Sequence, residues 1–354
     1  MLHSKLFCWL AIVLALRCAP VAAAEDADAR RERDLAAWAT LAAGGDARAQ
    51  FRLGELHERG EGGAPRDPGQ ALEWYRKSAE QGHAPAELRL AEAFAQRAEE
   101  GVHADDRDEA RKWFGRAALH GSAAAVTRLV EFAEHGDVAA QLQLGRQYYH
   151  GHGVIRSVDD AYGWFRRAAE QNAEEAIFAI GRMHERGRGR PRSDTEAVSA
   201  YQRAAALGYA PATYNLARLY RLGRGIGANA DLARVLYERA ADAGLAAAQL
   251  SLAMLYEAGM NWPQDLPRAV RWYRAAAAQG SPEAMLNLGY LYAAGRGVPA
   301  DPVEACALFR AAAARGLALA EGNLTAVEAR LSAAQKRDAE KRAEAWRGAT
   351  VAAN

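Results

Sequence analysis

Cysteine is scarce in this sequence: three residues in 354, at Cys8, Cys18 and Cys306. Two of them fall in an N-terminal leader, so the mature chain keeps only Cys306, and neither an intramolecular disulfide framework nor a thiolate metal cluster can form. A surplus of one charge sign is missing as well. Lys plus Arg number 45 and Asp plus Glu 44, which leaves no global field to attract nucleic acid or an anionic membrane; charge-based binding must come from local clustering. Long apolar runs are absent too. The longest, LFCWLAIVLAL over Leu6–Leu16, has eleven residues and would cross only about half of a hydrocarbon core of roughly 30 Å.

That run follows Lys5 and is followed by small residues ending in Val21-Ala22-Ala23-Ala24, before the acidic Glu25-Asp26. This is the order of a secretory signal peptide over residues 1–24, with Ala22-x-Ala24 as its exit. Arg17 stands where a lipoprotein signal wants a small residue before its Cys18. The expectation is a periplasmic or secreted protein without an integral membrane span in its mature form.

What the sequence has in abundance is internal repetition. Trp164-Phe165, Ala200-Tyr201, Leu236-Tyr237, Trp272-Tyr273 and Leu308-Phe309 recur every 36 residues without a slip. Gly145, Gly181, Ala217, Ala253 and Gly289 march in step, as do Ala161, Ala197, Ala233, Ala269 and Ala305. The units close at Asn172, Gly208, Gly244, Gly280 and Gly316. Two earlier units, with Trp74-Tyr75 and Trp113-Phe114, close at Gly82 and Gly121 and bring the total to seven. The step from Trp113 to Trp164 carries a surplus of 15 residues, Ser122 to Gly136, whose Val126, Leu129, Val130 and Phe132 have helical spacing. An extra helix is expected there, with a hinge or a change of direction.

Within a unit both halves read as helix. Ala284, Leu288, Leu291 and Tyr292 form one apolar stripe and Ala305, Leu308, Phe309 and Ala312 another, with Asp301-Pro302 as a start signal and Gly316 as a stop. Each unit is therefore a helical hairpin that can bury its stripe only by stacking on its neighbours.

The unit A-x-x-x-L-G-x-L-Y-x-x-G-x-G-V, a short loop, then D-x-x-x-A-x-x-W-Y-x-x-A-A-x-x-G resembles the Sel1-like repeat, a relative of the tetratricopeptide repeat. The pattern is near complete from Met285 to Tyr292, through Gly295-x-Gly297-Val298, to Asp301, Ala305 and Gly316. Repeat two departs from it with Ala91 for glycine and no G-x-G, and repeat six with Gly259-Met260-Asn261-Trp262. The resemblance implies an all-α, right-handed α-α superhelix (solenoid) of about seven hairpins. Expected segments are a lead-in and N-terminal capping helix (25–44), repeats 1–2 (45–121), the inserted helix (122–136) and repeats 3–7 (137–316). C-terminal capping helices (317–347) and a flexible tail (348–354) complete the chain.

GRGIGA, Gly223 to Ala228, fits the dinucleotide fingerprint G-x-G-x-x-[GA], but a dinucleotide fold needs a strand before the loop. Here ATYNLARLYRL precedes it with helical period. The glycines read instead as a repeat corner: Gly223 ends a helix, Gly225 gives a second left-handed or close-packed position, and Ile226 plugs the interface. Arg186, Arg188, Arg190 and Arg192 make one basic turn, without the interleaved aromatics of a nucleic-acid stripe.

No cofactor and no metal site is expected. The histidines do not converge: His57 and His184 take a tyrosine slot of other repeats, and His150-Gly-His152 lacks a third ligand at sensible spacing. No nucleophile with a base and orienter is evident. Some cysteine-rich secreted Sel1-like relatives bind or hydrolyse β-lactams, so an envelope hydrolase or β-lactam-binding protein is the alternative class, although their paired cysteines are missing. The leading expectation is a non-enzymatic protein–protein interaction adaptor of the bacterial cell envelope.

By analogy with tetratricopeptide arrays, the groove-facing positions lie just before the repeat leucine and two residues after it. The later position reads Glu55, Glu92, Arg146, Arg182, Arg218, Met254, Tyr290, and the earlier one supplies Gln143, Asn215, Ser251 and Asn287. Arrayed arginines can grip carboxylates in bidentate fashion, so an acidic or C-terminal peptide segment, or an anionic envelope polymer, is the expected occupant. Solvation or pairing within a helix, for instance Arg182 with Glu185, is the competing account.

Overall fold

The computed structural model describes residues 35–101, 103, 105–260 and 262–347. The expected signal peptide, the start of the lead-in and the tail 348–354 lie outside the described residues. Among the described residues there are eighteen helices and no strand. A leading helix α1 (35–43) precedes two hairpins, α2 (Ala47–Arg59) with α3 (Pro68–Glu80) and α4 (Ala84–Glu99) with α5 (Asp106–Leu119). The additional helix α6 (Ala123–Glu134) follows. Then come α7 (Val138–His150) with α8 (Val158–Glu170), α9 (Glu174–Arg186) with α10 (Asp194–Ala206), and α11 (Ala210–Leu222) with α12 (Ala230–Asp242). The last two hairpins are α13 (Ala246–Ala258) with α14 (Leu266–Ala278) and α15 (Pro282–Ala294) with α16 (Pro302–Ala314), and α17 (Ala318–Glu328) and α18 (Ala333–Arg347) close the chain. The chain divides into two compact units, residues 1–168 and 169–354, so the division falls within α8.

Local chemistry explains why each helix begins and ends where it does. Ser281 caps α15 by accepting from the Ala284 N–H at 3.2 Å, and Pro282 occupies the first turn, where a missing N–H costs nothing. Asp301 caps α16 in the same way, accepting from Val303 and Glu304 at 3.0 Å each. First helices α2, α7, α9, α11, α13 and α15 all stop at a left-handed glycine. From there the turn is closed by one recurring bond, in which the N–H of the next helix's cap donates to the carbonyl in the Tyr/His slot. Ser193 bonds His184, Asn229 bonds Tyr220, Asp265 bonds Tyr256 and Asp301 bonds Tyr292, each at 3.0 Å.

Gly223 and Gly225 are the two left-handed positions of the GRGIGA corner, with φ of 65° and 69°. Their surroundings differ. A Cβ on Gly223 would meet the Ala228 methyl at 3.2 Å, whereas one on Gly225 would lie 2.4 Å from the Asp194 carbonyl at the start of α10. Gly225 is thus where one repeat's turn rests on the preceding repeat's backbone.

Packing inside a hairpin rests on a ring laid over a small residue. A Cβ on Gly181 would fall 2.7 Å from the Tyr201 ring, on Gly289 2.6 Å from Phe309, and on Gly54 2.4 Å from Tyr75. In repeats five and six Ala217 and Ala253 take that place, fully buried in one core cluster with Tyr237 and Tyr273. Repeat six also buries Trp262, whose indole N–H donates to the Ala230 carbonyl at 3.1 Å and whose ring lies 5.8 Å from Tyr256. The unusual turn of that repeat is filled by the indole.

In the first unit, α6 is capped by Ser122 and buries Leu129 and Ala133 between α5 and α7. At the C-terminal end α17 and α18 each rest on α16. Ala339 and Ala343 are buried against Val303, Cys306 and Ala307. Polar contacts tie α18 down: Arg342 meets Asp301 at 2.9 Å, Glu304 at 3.2 Å and Asp338 at 2.9 Å, and the Trp346 indole donates to Glu304 at 3.0 Å.

Two outcomes are expected. Gly225→Ala should lower the urea-unfolding stability of the second unit by about 3 kcal/mol, from left-handed strain plus backbone collision, whereas Gly223→Ala should cost about 1 kcal/mol, from strain alone. The second concerns pH. Burial alone would raise the Asp301 carboxyl, but the Glu304 N–H, Arg342 and the Val303 N–H outweigh it and hold the carboxyl below its ordinary range. A folded value below the unfolded one, about 3.9, means that the contribution is complete well above that pH. It is lost as pH falls through the folded value. Hydrogen-exchange protection of α18 should therefore fall below about pH 4, and Asp301→Asn should show much of that loss at neutral pH.

Candidate partner-binding groove

The groove residues expected from sequence divide between the two units. Gln143 and Arg146 lie on α7 in the first. Gln143 is half-buried over α5, where a Cβ on Gly115 would collide with its amide at 2.0 Å, and Arg146 is exposed. Arg182, Asn215, Arg218, Ser251, Met254, Asn287 and Tyr290 all lie on first helices of the second unit, on α9, α11, α13 and α15.

Glu185, near the end of α9, organises the local arrangement. Its side chain is only 8% exposed. It accepts from the Tyr201 hydroxyl at 2.8 Å and is ion-paired with Arg218 of the next repeat, while Arg224 stands 3.7 Å away. Arg224 in turn grips Asp194 through two hydrogen bonds, of 3.0 and 2.7 Å. That grip holds the Asp194 carboxyl below its usual range and raises the Arg224 guanidinium above its own. Burial, followed by the bond to Glu185, pushes the Tyr201 hydroxyl well above its ordinary value, so it remains a donor.

Arg182 does not take Glu185, as the helical spacing allowed. It lies over the Phe178 ring at 5.7 Å, and among the described residues no carboxylate comes within salt-bridge distance of it or of Arg186. Arg192 reaches Asp194 only at 3.7 Å and keeps 63% of its side chain exposed. Together Arg182, Glu185, Arg186, Arg192, Tyr214, Asn215, Arg218 and Arg224 line an open recess of ≈ 490 Å³. Five guanidiniums share that recess with Glu185, and Asp194 lies beside it, bound to Arg224. The carbonyl ends of α9 and α11 favour cations in this place, which explains how so many guanidiniums can gather.

The polar residues of the earlier groove position in the second unit lie close to tyrosine hydroxyls. Asn215 and Asn287 stand near the Tyr201 and Tyr273 hydroxyls, whose upward shift they partly offset, and Ser251 Oγ lies 3.1 Å from the Tyr214 hydroxyl. Tyr273 donates to Glu257 at 2.8 Å, with Arg296 3.3 Å from the same carboxylate, so repeat six repeats the tyrosine–glutamate–arginine pattern of repeat four. Tyr75 donating to Glu58 at 2.7 Å is its counterpart in repeat one. Sequence reasoning missed Arg186, Arg192, Arg224 and Tyr214 as recess residues. The signal was available in the repeat itself, because a turn closes beside the first helix of the following unit.

Chemistry of other kinds finds little to build on. Ser78 Oγ lies 3.2 Å from His83 Nδ1, but the serine is fully buried and donates to the Ala47 carbonyl at 2.6 Å. His150 and His152 stack at 5.3 Å, and no group of three candidate metal ligands occurs among the described residues. Cys306 is a buried free thiol, raised by that burial. No helix among the described residues is long and apolar enough to cross a membrane.

With the repeated hairpin and its turn established, the family follows. The Sel1 repeat model matches residues 47–83, 84–122, 138–172, 174–209, 210–245, 246–281 and 282–317. This chain belongs to the Sel1 repeat family. A Sel1 repeat protein from Oxalobacter formigenes has a similar structure, with a TM-score of 0.55 and 32% identity over 83% of this chain and 79% of that one. So does a protective antigen present in uropathogenic Escherichia coli strains, at a TM-score of 0.54 and 30% identity, covering 89% of this chain and 71% of that one. Among curated proteins, chitin synthase regulatory factor 3 of Schizosaccharomyces pombe is 29% identical over 145 residues. That match takes in 41% of this chain but only 14% of the yeast protein. Sel1-repeat proteins generally mediate protein–protein interactions, and the scaffold is typically non-catalytic.

The division of labour among the arginines is testable by stability. Arg218→Ala leaves Glu185 buried with the Tyr201 hydroxyl and the longer contact to Arg224 and should cost about 2–3 kcal/mol in urea unfolding. Arg182→Ala should change stability by less than about 0.5 kcal/mol.

Proposed function

We propose that this protein is a non-enzymatic adaptor of the bacterial cell envelope that holds an acidic segment of a protein partner on the first helices of its second unit. The observation that carries the proposal is the recess between α9 and α11. Glu185 and Asp194 account for Arg218 and Arg224, while among the described residues Arg182 and Arg186 meet no carboxylate within salt-bridge distance and Arg192 is loosely held. In a chain whose charges otherwise balance, that local excess favours carboxylates, which arginine can take in bidentate geometry. The leader over residues 1–24 supports export, and relatives from bacteria fit a bacterial setting.

The test is site-specific photo-crosslinking in intact cells, with the probe at Met254 on the groove side or at the exposed Val235 of α12 as control, read by mass spectrometry. The Met254 probe is expected to recover a discrete envelope protein that the Val235 probe does not. Arg182→Glu with Arg186→Glu should cut the yield at least tenfold while helical circular dichroism is unchanged. Equal capture from Val235, or capture indifferent to the charge reversal, contradicts the proposal.

A further inference from the structure

Beyond the recess the same ladder of positions changes character. Arg182 and Arg218 are followed, one and two repeats on, by Met254 and Tyr290, which are 50% and 43% exposed. Single exposed apolar side chains are ordinary on a protein surface. These two, however, hold equivalent positions in consecutive repeats and continue the line of the recess. The Tyr290 ring is held in place, edge-on to Phe309 at 5.4 Å, with its hydroxyl accepting from Asn323 at 2.8 Å. The Tyr214–Ser251 hydrogen bond joins the two halves, since Tyr214 lines the recess and Ser251 lies one turn from Met254 on α13.

We propose that the groove of the second unit reads two features of one extended partner peptide: an acidic cluster seated among Arg182, Arg186 and Arg192, and a large apolar side chain seated on Met254 and Tyr290. This inference rests on the adaptor reading above and adds the spacing. Successive first helices are bedded on shared second helices and stand roughly 10 Å apart. The basic cluster belongs to repeat four and the apolar pair to repeats six and seven, so their centres lie two and a half repeats apart, which is roughly 25 Å at that spacing. An extended chain advances about 3.3 Å per residue, so the two features are separated by about seven or eight residues. Neither half suffices alone: the arginines supply orientation and selectivity, and the methionine and the fixed tyrosine supply apolar burial, with methionine adaptable to different side chains.

The experiment is selection of a displayed library of random 12-residue peptides on the full chain, followed by fluorescence anisotropy with the enriched peptides. Enriched sequences are expected to carry Asp or Glu about six to nine residues from Leu, Met, Phe or Trp. A selected peptide should bind Arg182→Gln/Arg186→Gln at least tenfold more weakly and Met254→Asp at least fivefold more weakly, and should lose affinity when the spacing is cut to two. Enrichment of acidic peptides with no apolar partner, or indifference to spacing, overturns the two-feature inference and leaves the adaptor reading standing. Enriched peptides that bind both variants as well as the parent chain overturn the inference and the groove reading together.

Discussion

The structure depends on one contact repeated down the chain: an aromatic ring of each second helix lying on a glycine or alanine of the first. With so little room between ring and backbone, as at Gly181 beneath Tyr201, the two helices of a hairpin are drawn close. The ring's remaining surface is then free to pack outward. In the tyrosine-bearing repeats this contact also places the hydroxyl at the hairpin's rim. There Tyr75, Tyr201 and Tyr273 each donate to a glutamate near the end of the first helix. The apolar core and the polar rim are therefore set by the same residue, and a substitution that moves the ring disturbs both.

The glutamate at that rim decides which arginines belong to the fold. In repeat four Glu185 is nearly buried, and burying a carboxylate without a cation is costly. Arg218 comes from the next repeat and Arg224 from the turn beyond it, so the pairing links successive units as well as neutralising the charge. Once this is satisfied, Arg182, Arg186 and Arg192 remain as the side chains that can meet a partner. The recess is thus a by-product of how repeats are joined, with paired and unpaired guanidiniums side by side in it.

The architecture was legible because a 36-residue period leaves little freedom. Capping residues, stop glycines and the ring positions recur in register, and the G-x-G corner at Gly223 could be told from a phosphate loop by the helical period before it. The extra helix α6 showed itself as surplus length with helical spacing. The recess was less legible. Helical spacing alone offered Glu185 to Arg182, three residues away, whereas the carboxylate turns to Tyr201 and to Arg218 of the following repeat, a choice made by packing across units. Packing likewise sets Asn215 and Asn287, expected in sequence as hands for a bound peptide, near the Tyr201 and Tyr273 hydroxyls. Arg192 and Arg224 sit in turns, where a one-dimensional pattern says nothing of direction.

Glu185 and Asp194 take Arg218 and Arg224 out of play and leave Arg182, Arg186 and Arg192 without so close a carboxylate. Arginine-selective labelling of the intact chain with phenylglyoxal, followed over time by peptide mass spectrometry, tests it most directly. The account predicts that Arg182, Arg186 and Arg192 are modified first, with Arg218 and Arg224 reacting at least several-fold more slowly. Modification of all five at one rate, or of Arg218 and Arg224 ahead of the others, would contradict it.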